Sequence, residues 1–243
     1  MVTGAASGIG RAVVQALAAE ERVRHVTAVD LAQEQLEEVV RLLGPHVSAF
    51  VCDVRDRVRI RSVVEEAGSD GIFTGLVNAA GNYSVTPSLE VDHSELMAVL
   101  EPHVGGTLYA SQAVARAFID HGKGGSIVNM SSVAAGFAWP QRLPYAIAKA
   151  GVEAMTRTLA VEWAEHRVRV NAIAPGYVDT PMVRDAAARG VFDLEMRVRQ
   201  SALKRLADPH EIATTVLFLL SEASSFITGA TIRVDGGFGV LKD

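Results

Sequence analysis

The chain has 243 residues, 49% of them hydrophobic, and its 23 basic and 28 acidic side chains leave a net charge of −5. That length and apolar content allow one sizeable α/β core and exclude a disordered chain, while an acidic balance without a basic run argues against nucleic acid as the main partner. No apolar stretch reaches the roughly 20 residues of a membrane span, the opening residues lack a secretory-leader pattern, and Cys52 is the only cysteine. No membrane partner, no intrachain disulfide and a cytoplasmic location are expected. The histidines follow no metal-ligand spacing, so no metal is expected.

The first element is a glycine turn, "TGAASGIG", running into a helix. Only Met1 and Val2 stand before that turn, against the five or so residues of a buried strand. The first strand is therefore either a stub, or the true start lies upstream of Met1. Short β-branched runs at 25–29, 47–52, 74–78, 126–130, 169–174 and 230–235 predict strands. Helical patterns lie between them at 11–21, 31–44, 57–68, 94–121 and 144–166. A further helix starts at "DPHEI", with Asp208 as N-cap, Pro209 in the first turn and Glu211 placed for a capping box. Strands alternating with helices imply βαβ units. The expected fold is an α/β, Rossmann-like, doubly wound parallel sheet with helices on both faces. Without a linker or a repeat, residues 1–243 form one domain.

Gly4, Gly8 and Gly10 let the backbone of the first turn come close to a phosphate, and the helix that follows offers free N–H groups and the positive end of its dipole. Asp30 ends the next strand about 20 residues on, where a carboxylate accepts hydrogen bonds from a ribose 2′-hydroxyl and repels a 2′-phosphate. Leu31 follows it and offers no cation for such a phosphate; Arg11, just inside the helix, is the one nearby arginine. NAD is therefore expected over NADP. Further on, "YAIAK" sets Tyr145 and Lys149 one helical turn apart, so that an ammonium stands beside a phenol and should lower its pKa.

These stretches together make the chain similar to the short-chain dehydrogenase/reductase family, and the resemblance runs nearly end to end. "TGAASGIG" resembles its cofactor turn, "CDV" its adenine contact, "NAAG" its signature after the fourth strand, "NMSS" with "YAIAK" its catalytic site, and "APGYVDTPM" and "ITGATIRVDGG" its later signatures. The resemblance implies an oxidoreductase that moves a hydride between NAD(H) and a small alcohol or ketone. It implies that Ser132 binds the substrate oxygen, that Tyr145 is the general acid/base, and that Lys149 binds the nicotinamide ribose. Ser131, its neighbour, should point the other way. The cofactor would also touch Gly4, Ser7, Gly8, Ile9, Gly10, Asp30, Leu31, Asp53, Val54, Asn78, Ala79, Ala80, Gly81, Pro175, Gly176, Val178 and Thr180.

One departure concerns the family's "VNxxG" helix, where this chain has "PHVGG". His103 takes the asparagine's place as a candidate catalytic residue, and Pro102 before it removes an N–H, leaving the Ala98 carbonyl without its helical partner and predicting a kink. His103 could keep a water relay to Lys149 through its main chain, or its imidazole could itself carry the proton, with an unperturbed pKa near neutrality. Substrate-facing segments are expected at 134–144 and 182–199. The arginines of the second read as a solvated helix face. The helix 145–164 is apolar or small around most of its circumference, and with the resemblance this implies a homotetramer, the "ITGATIRVDGG" end forming a second interface. Two other readings compete: a catalytically weak, dinucleotide-binding or redox-sensing member, and a dehalogenase or lyase on the same fold. Intact Ser132, Tyr145, Lys149 and the glycine turn count against both.

Overall fold

A computed structural model describes residues 1–68 and 73–241. Seven strands form one parallel sheet: β1 (Val2–Thr3), β2 (Val26–Asp30), β3 (Val47–Val51), β4 (Gly75–Asn78), β5 (Gly125–Met130), β6 (Val168–Pro175) and β7 (Thr231–Val234). Their order across the sheet is β3-β2-β1-β4-β5-β6-β7. Chain order reverses between β1 and β4, which opens a crevice at the carboxyl ends of those strands, the usual place for a ligand in such a sheet. Although β1 has only two residues, it is central: Val2 pairs with Ala28 on one side and Val77 on the other.

Alternation along the strands sends apolar side chains to both faces, so two cores form. One packs Val77, Val128 and Ile173 beneath Val13 and Leu17 of α1 (Gly8–Ala18), Leu36 of α2 (Gln33–Leu43) and Val216 of α9 (Pro209–Leu220), which follows α7 (Pro181–Ala188) and α8 (Leu194–Arg199) in the chain. The other packs Leu76, Ile127 and Val170 beneath Ile60 of α3 (Arg57–Gly68), Phe118 of α5 (Thr107–Asp120) and Leu159 of α6 (Leu143–Glu162). Among the described residues, no helix is long and apolar enough to cross a membrane. Nor is any group of three histidine, cysteine or acidic side chains placed to hold a metal ion.

Three local outcomes differ from expectation or refine it. α1 starts at Gly8, not Arg11, because the glycine turn is already its first turn. The long helix predicted over 94–121 is α4 (His93–Leu100), a π-helical segment (Glu101–Gly106) and α5. A proline cannot supply an i→i−4 bond, and the wider turn absorbs the defect. The Ala98 carbonyl that Pro102 leaves free accepts instead from Nδ2 of Asn82, at 3.0 Å. At the start of α9 the capping box forms: Glu211 accepts from the Asp208 N–H at 2.8 Å, and Asp208 accepts from the first-turn backbone.

Candidate active site

At the crevice lies a cavity of about 480 Å³, built from the loops after β1, β2, β3, β4, β5 and β6. Glycines set its floor by steric necessity. Gly4 has φ +67°, and a Cβ there would lie 2.7 Å from the Ala80 amide nitrogen. A Cβ on Gly10 would fall 1.9 Å from the Gly4 carbonyl oxygen. Only bare backbone fits, and it leaves the first N–H groups of α1 directed at the cavity. Asp30 stands at the end of β2, its carboxylate fixed by the backbone N–H groups of Ala6 and Ala32, both at 3.0 Å. Leu31 beside it is largely exposed. Arg11 is turned away to Glu38, at 2.9 Å.

Of the residues expected to touch a cofactor, all but one line this cavity. Asn78 does not. It is buried one layer below, its amide donating to Asn129 at 2.9 Å and to Ser111 at 3.0 Å, while Asn129 donates to Thr156. It ties β4 to β5 and α5, with Asn129 carrying the link on to α6, while Ala79, Ala80 and Gly81 above it line the cavity. Cys52, Arg55, Asn82 and Met130 also line the cavity, although none of them is among the site residues expected from the sequence. Arg55 is held by Asp53 at 2.6 Å, which keeps that carboxylate below its usual range.

Ser132, Tyr145 and Lys149 converge from the end of β5 and the first turns of α6. Ser131 points away and donates to Glu153 at 2.9 Å. Tyr145 is half-buried at the cavity wall. Its phenol is pushed up by burial, and the hydrogen-bonded Ser132 hydroxyl only partly offsets this. The expected lowering by Lys149 is therefore absent here. Its ammonium lies 5.5 Å from the phenol ring centroid and donates to the Met130 carbonyl at 2.7 Å. Burial brings the lysine itself down to about 7.

His103 sits on the π segment, edge-on to Tyr145 with ring centroids 5.5 Å apart. Its Nε2 meets the main chain of Asn82, at 2.7 Å from the carbonyl oxygen and 3.1 Å from the amide nitrogen. Protonated there it donates to the carbonyl; with the proton on Nδ1 it accepts from the amide. Burial, helped by the Lys149 charge, lowers its pKa to about 3. A ring held neutral in this way does not fit a relay that titrates near neutrality and favours the main-chain alternative.

A second cavity, about 350 Å³, adjoins the first and shares Ser132, Tyr145, Gly176, Met182 and Val183 with it. Its walls come from both expected substrate segments, including Trp139, Arg142, Phe192 and Arg197. Tyr83, Val85 and Tyr177 complete it. Sequence reasoning passed over these three, although Tyr83 follows closely on "NAAG" and Tyr177 lies within "APGYVDTPM".

Comparison with known proteins gives this constellation a family. A family model described as enoyl-(acyl carrier protein) reductase matches residues 4–239. The chain is 37% identical to 3-oxoacyl-[acyl-carrier-protein] reductase FabG of Thermotoga maritima, over 98% of this chain and 96% of that one. It is also 37% identical to galactitol 2-dehydrogenase (L-tagatose-forming) of Cereibacter sphaeroides, over 98% and 94%. A crystal structure of a short-chain type dehydrogenase/reductase from Mycobacterium marinum superposes with a TM-score of 0.91 at 31% identity, covering 99% and 94%. The chain belongs to the short-chain dehydrogenase/reductase family. It is thus an oxidoreductase by family, in a group whose members use nicotinamide dinucleotides, and its glycine cradle, free helix N-terminus and Asp30 carboxylate fit such a group. Relatives this similar are named for a 3-oxoacyl-[acyl-carrier-protein] in one case and for galactitol in another, so family membership alone leaves the substrate open.

Proposed function

We propose that the protein is an NAD(H)-dependent alcohol dehydrogenase or ketoreductase that interconverts a small secondary alcohol and its ketone. The observation that carries this reading is the sharing of Ser132 and Tyr145 between the two cavities, one fitted to a dinucleotide and the other free for a substrate. When bound, the nicotinamide takes or supplies the hydride. Ser132 donates a hydrogen bond to the substrate oxygen. Tyr145 accepts the alcohol proton in oxidation and returns it in reduction, so alcohol and NAD+ give ketone, NADH and one proton. Lys149 holds the nicotinamide ribose. With its pKa raised by burial, Tyr145 is a neutral phenol near pH 7, suited to protonating a ketone. Oxidation requires the phenolate, so its rate should rise with pH.

The choice of NAD over NADP is supported by the anchored Asp30 carboxylate, the exposed Leu31 and the commitment of Arg11 to Glu38. His103 acts on this reading through its backbone and as a spacer between Tyr145 and the loop after β4. A redox-sensing member without turnover rests on His103 alone, and a neutral ring bound to main chain gives it no chemistry. A homotetramer fits the exposed Leu143, Ile147 and Val161 of α6 and the fully exposed Phe226 near β7.

The test follows reduced-nicotinamide absorbance while secondary alcohols and ketones are screened with each dinucleotide. Tyr145→Phe should lower turnover by about a hundredfold or more with dinucleotide affinity nearly unchanged. A variant that keeps most of the rate would remove Tyr145 from its role.

A further inference from the structure

The second cavity has a charge pattern that its redox chemistry does not require. In the segment 182–199 the outer arginines are matched by carboxylates. Arg184 pairs with Asp179 at 2.6 Å, Arg189 with Asp185 at 3.2 Å, and Arg199 with Glu195 at 3.6 Å. These form the solvated face expected from the sequence. Arg197 departs from it. It turns inward, half-buried, with its guanidinium 5.9 Å from the ring centroids of both Trp139 and Tyr177. Its Nη1 donates to Gln200 at 2.9 Å, and its Nε is buried with no acceptor.

Arg142 approaches the same cavity from the start of α6. It lies 5.2 Å over the Tyr83 ring and donates to the Ser84 carbonyl at 3.3 Å. Among the described residues it has no carboxylate partner, and neither does Arg197. Among the described residues, no aspartate or glutamate lines the cavity. Burial pulls the Arg142 guanidinium down, and the Arg197 charge adds to that effect. Two cations thus repel each other in a partly dehydrated space with aromatic walls. Aromatic faces offset such a charge only in part, whereas an oxoanion offers acceptors matched to the guanidinium fork.

We propose that this cavity selects alcohols or ketones that carry an oxoanionic group, held by Arg142 and Arg197 while the reacting carbon sits at Ser132 and Tyr145. The proposal rests on the oxidoreductase reading of the same site. Carboxylate and phosphate share the required chemistry. A volume of about 350 Å³ stands at the small end of ligand pockets, which favours a metabolite-sized acid over a long acyl chain.

The test uses the full chain and three ketones of similar length: 2-hexanone, 4-oxopentanoate and 4-oxopentyl phosphate. Binding is titrated calorimetrically with the oxidised dinucleotide present, where no turnover occurs, and reduction rates are measured separately with NADH and NADPH. At least one acid should bind about ten- to hundredfold more tightly than 2-hexanone and show a matching gain in kcat/KM. The better of the two identifies the anion. Arg197→Gln and Arg142→Gln should each narrow the preference by about tenfold, and Arg197→Lys should keep part of it. Dinucleotide binding and thermal unfolding of each variant report whether it is folded. Equal binding of 2-hexanone and both acids, or an anion preference that survives both glutamine variants, would overturn the proposal and leave the oxidoreductase reading intact. Arginine-dependent binding without turnover of any ketone would instead remove the oxidoreductase reading and leave the anion site standing.

Discussion

Asp30 and His103 show how single residues carry distinct consequences. Asp30 is held by two backbone N–H groups, so its carboxylate keeps one orientation towards the cavity. Replacing it in the double variant Asp30→Ala, Leu31→Arg removes an ionic acceptor and adds a cation. Dinucleotide titrations should show NAD(H) affinity falling by about ten- to hundredfold and NADP(H) gaining, since such a bond contributes roughly 1.5–3 kcal/mol. Tighter binding of NADP(H) by the unmodified protein would sink the assignment. For His103, the folded ring stays neutral down to about pH 3, whereas an unfolded histidine takes a proton near 6.5. Between those values the unfolded state binds more protons, so this group's contribution to stability is lost as pH falls from about 6.5 to 3. His103→Asn should flatten that acid limb by up to one proton, about 1.4 kcal/mol per pH unit, in denaturant titrations across the range. Its turnover should stay near normal with the same pH profile. A tenfold loss of rate together with a vanished near-neutral inflection would return the imidazole to the proton path.

At the level of elements, backbone groups that one segment leaves unsatisfied are met by another. Pro102 disrupts the α4–α5 run, and Asn82, from the loop after β4, supplies the donor that the Ala98 carbonyl lost. Asn82 also receives the His103 ring, so the π segment and the cavity loop are locked together. Neither partnership could be read from the sequence, because each joins residues well separated along the chain and set close only by tertiary packing. The start of α9 is the opposite case. Asp208, Pro209 and Glu211 are neighbours in sequence, and their local geometry suffices to stop one segment and begin the next. Asp208→Ala should destabilise the protein by about 1 kcal/mol, seen as a lowered midpoint in denaturant, without altering turnover.

For the whole molecule, the outer face of α6 sets the next question. The helix buries Ala148, Val152, Thr156 and Leu159 against the sheet, yet Ile147 and Val161 remain exposed, with Phe226 fully exposed elsewhere. A second copy of the chain would cover that surface. Val161→Glu should shift the mass measured by light scattering at micromolar concentration from the proposed tetramer towards smaller species, because an unpaired carboxylate would be buried at the contact. An unmodified chain that runs as a monomer would discard the homotetramer.

The sequence by itself determined the parallel α/β architecture, since the alternation of apolar strands and amphipathic helices can bury both faces of a sheet in few other ways. It also determined the glycine turn, the Asp30 carboxylate and the Ser132–Tyr145–Lys149 spacing, all set within short stretches of chain. Tertiary structure decided what depends on burial and on residues distant in sequence. It moved Asn78 out of the cavity and into an amide network, raised the Tyr145 phenol where the neighbouring lysine had been expected to lower it, and kept His103 neutral. It also turned Arg197 away from its paired neighbours and into the second cavity. Dehydration and long-range packing set each of these outcomes, and neither quantity is written in the spacing of residues along a chain.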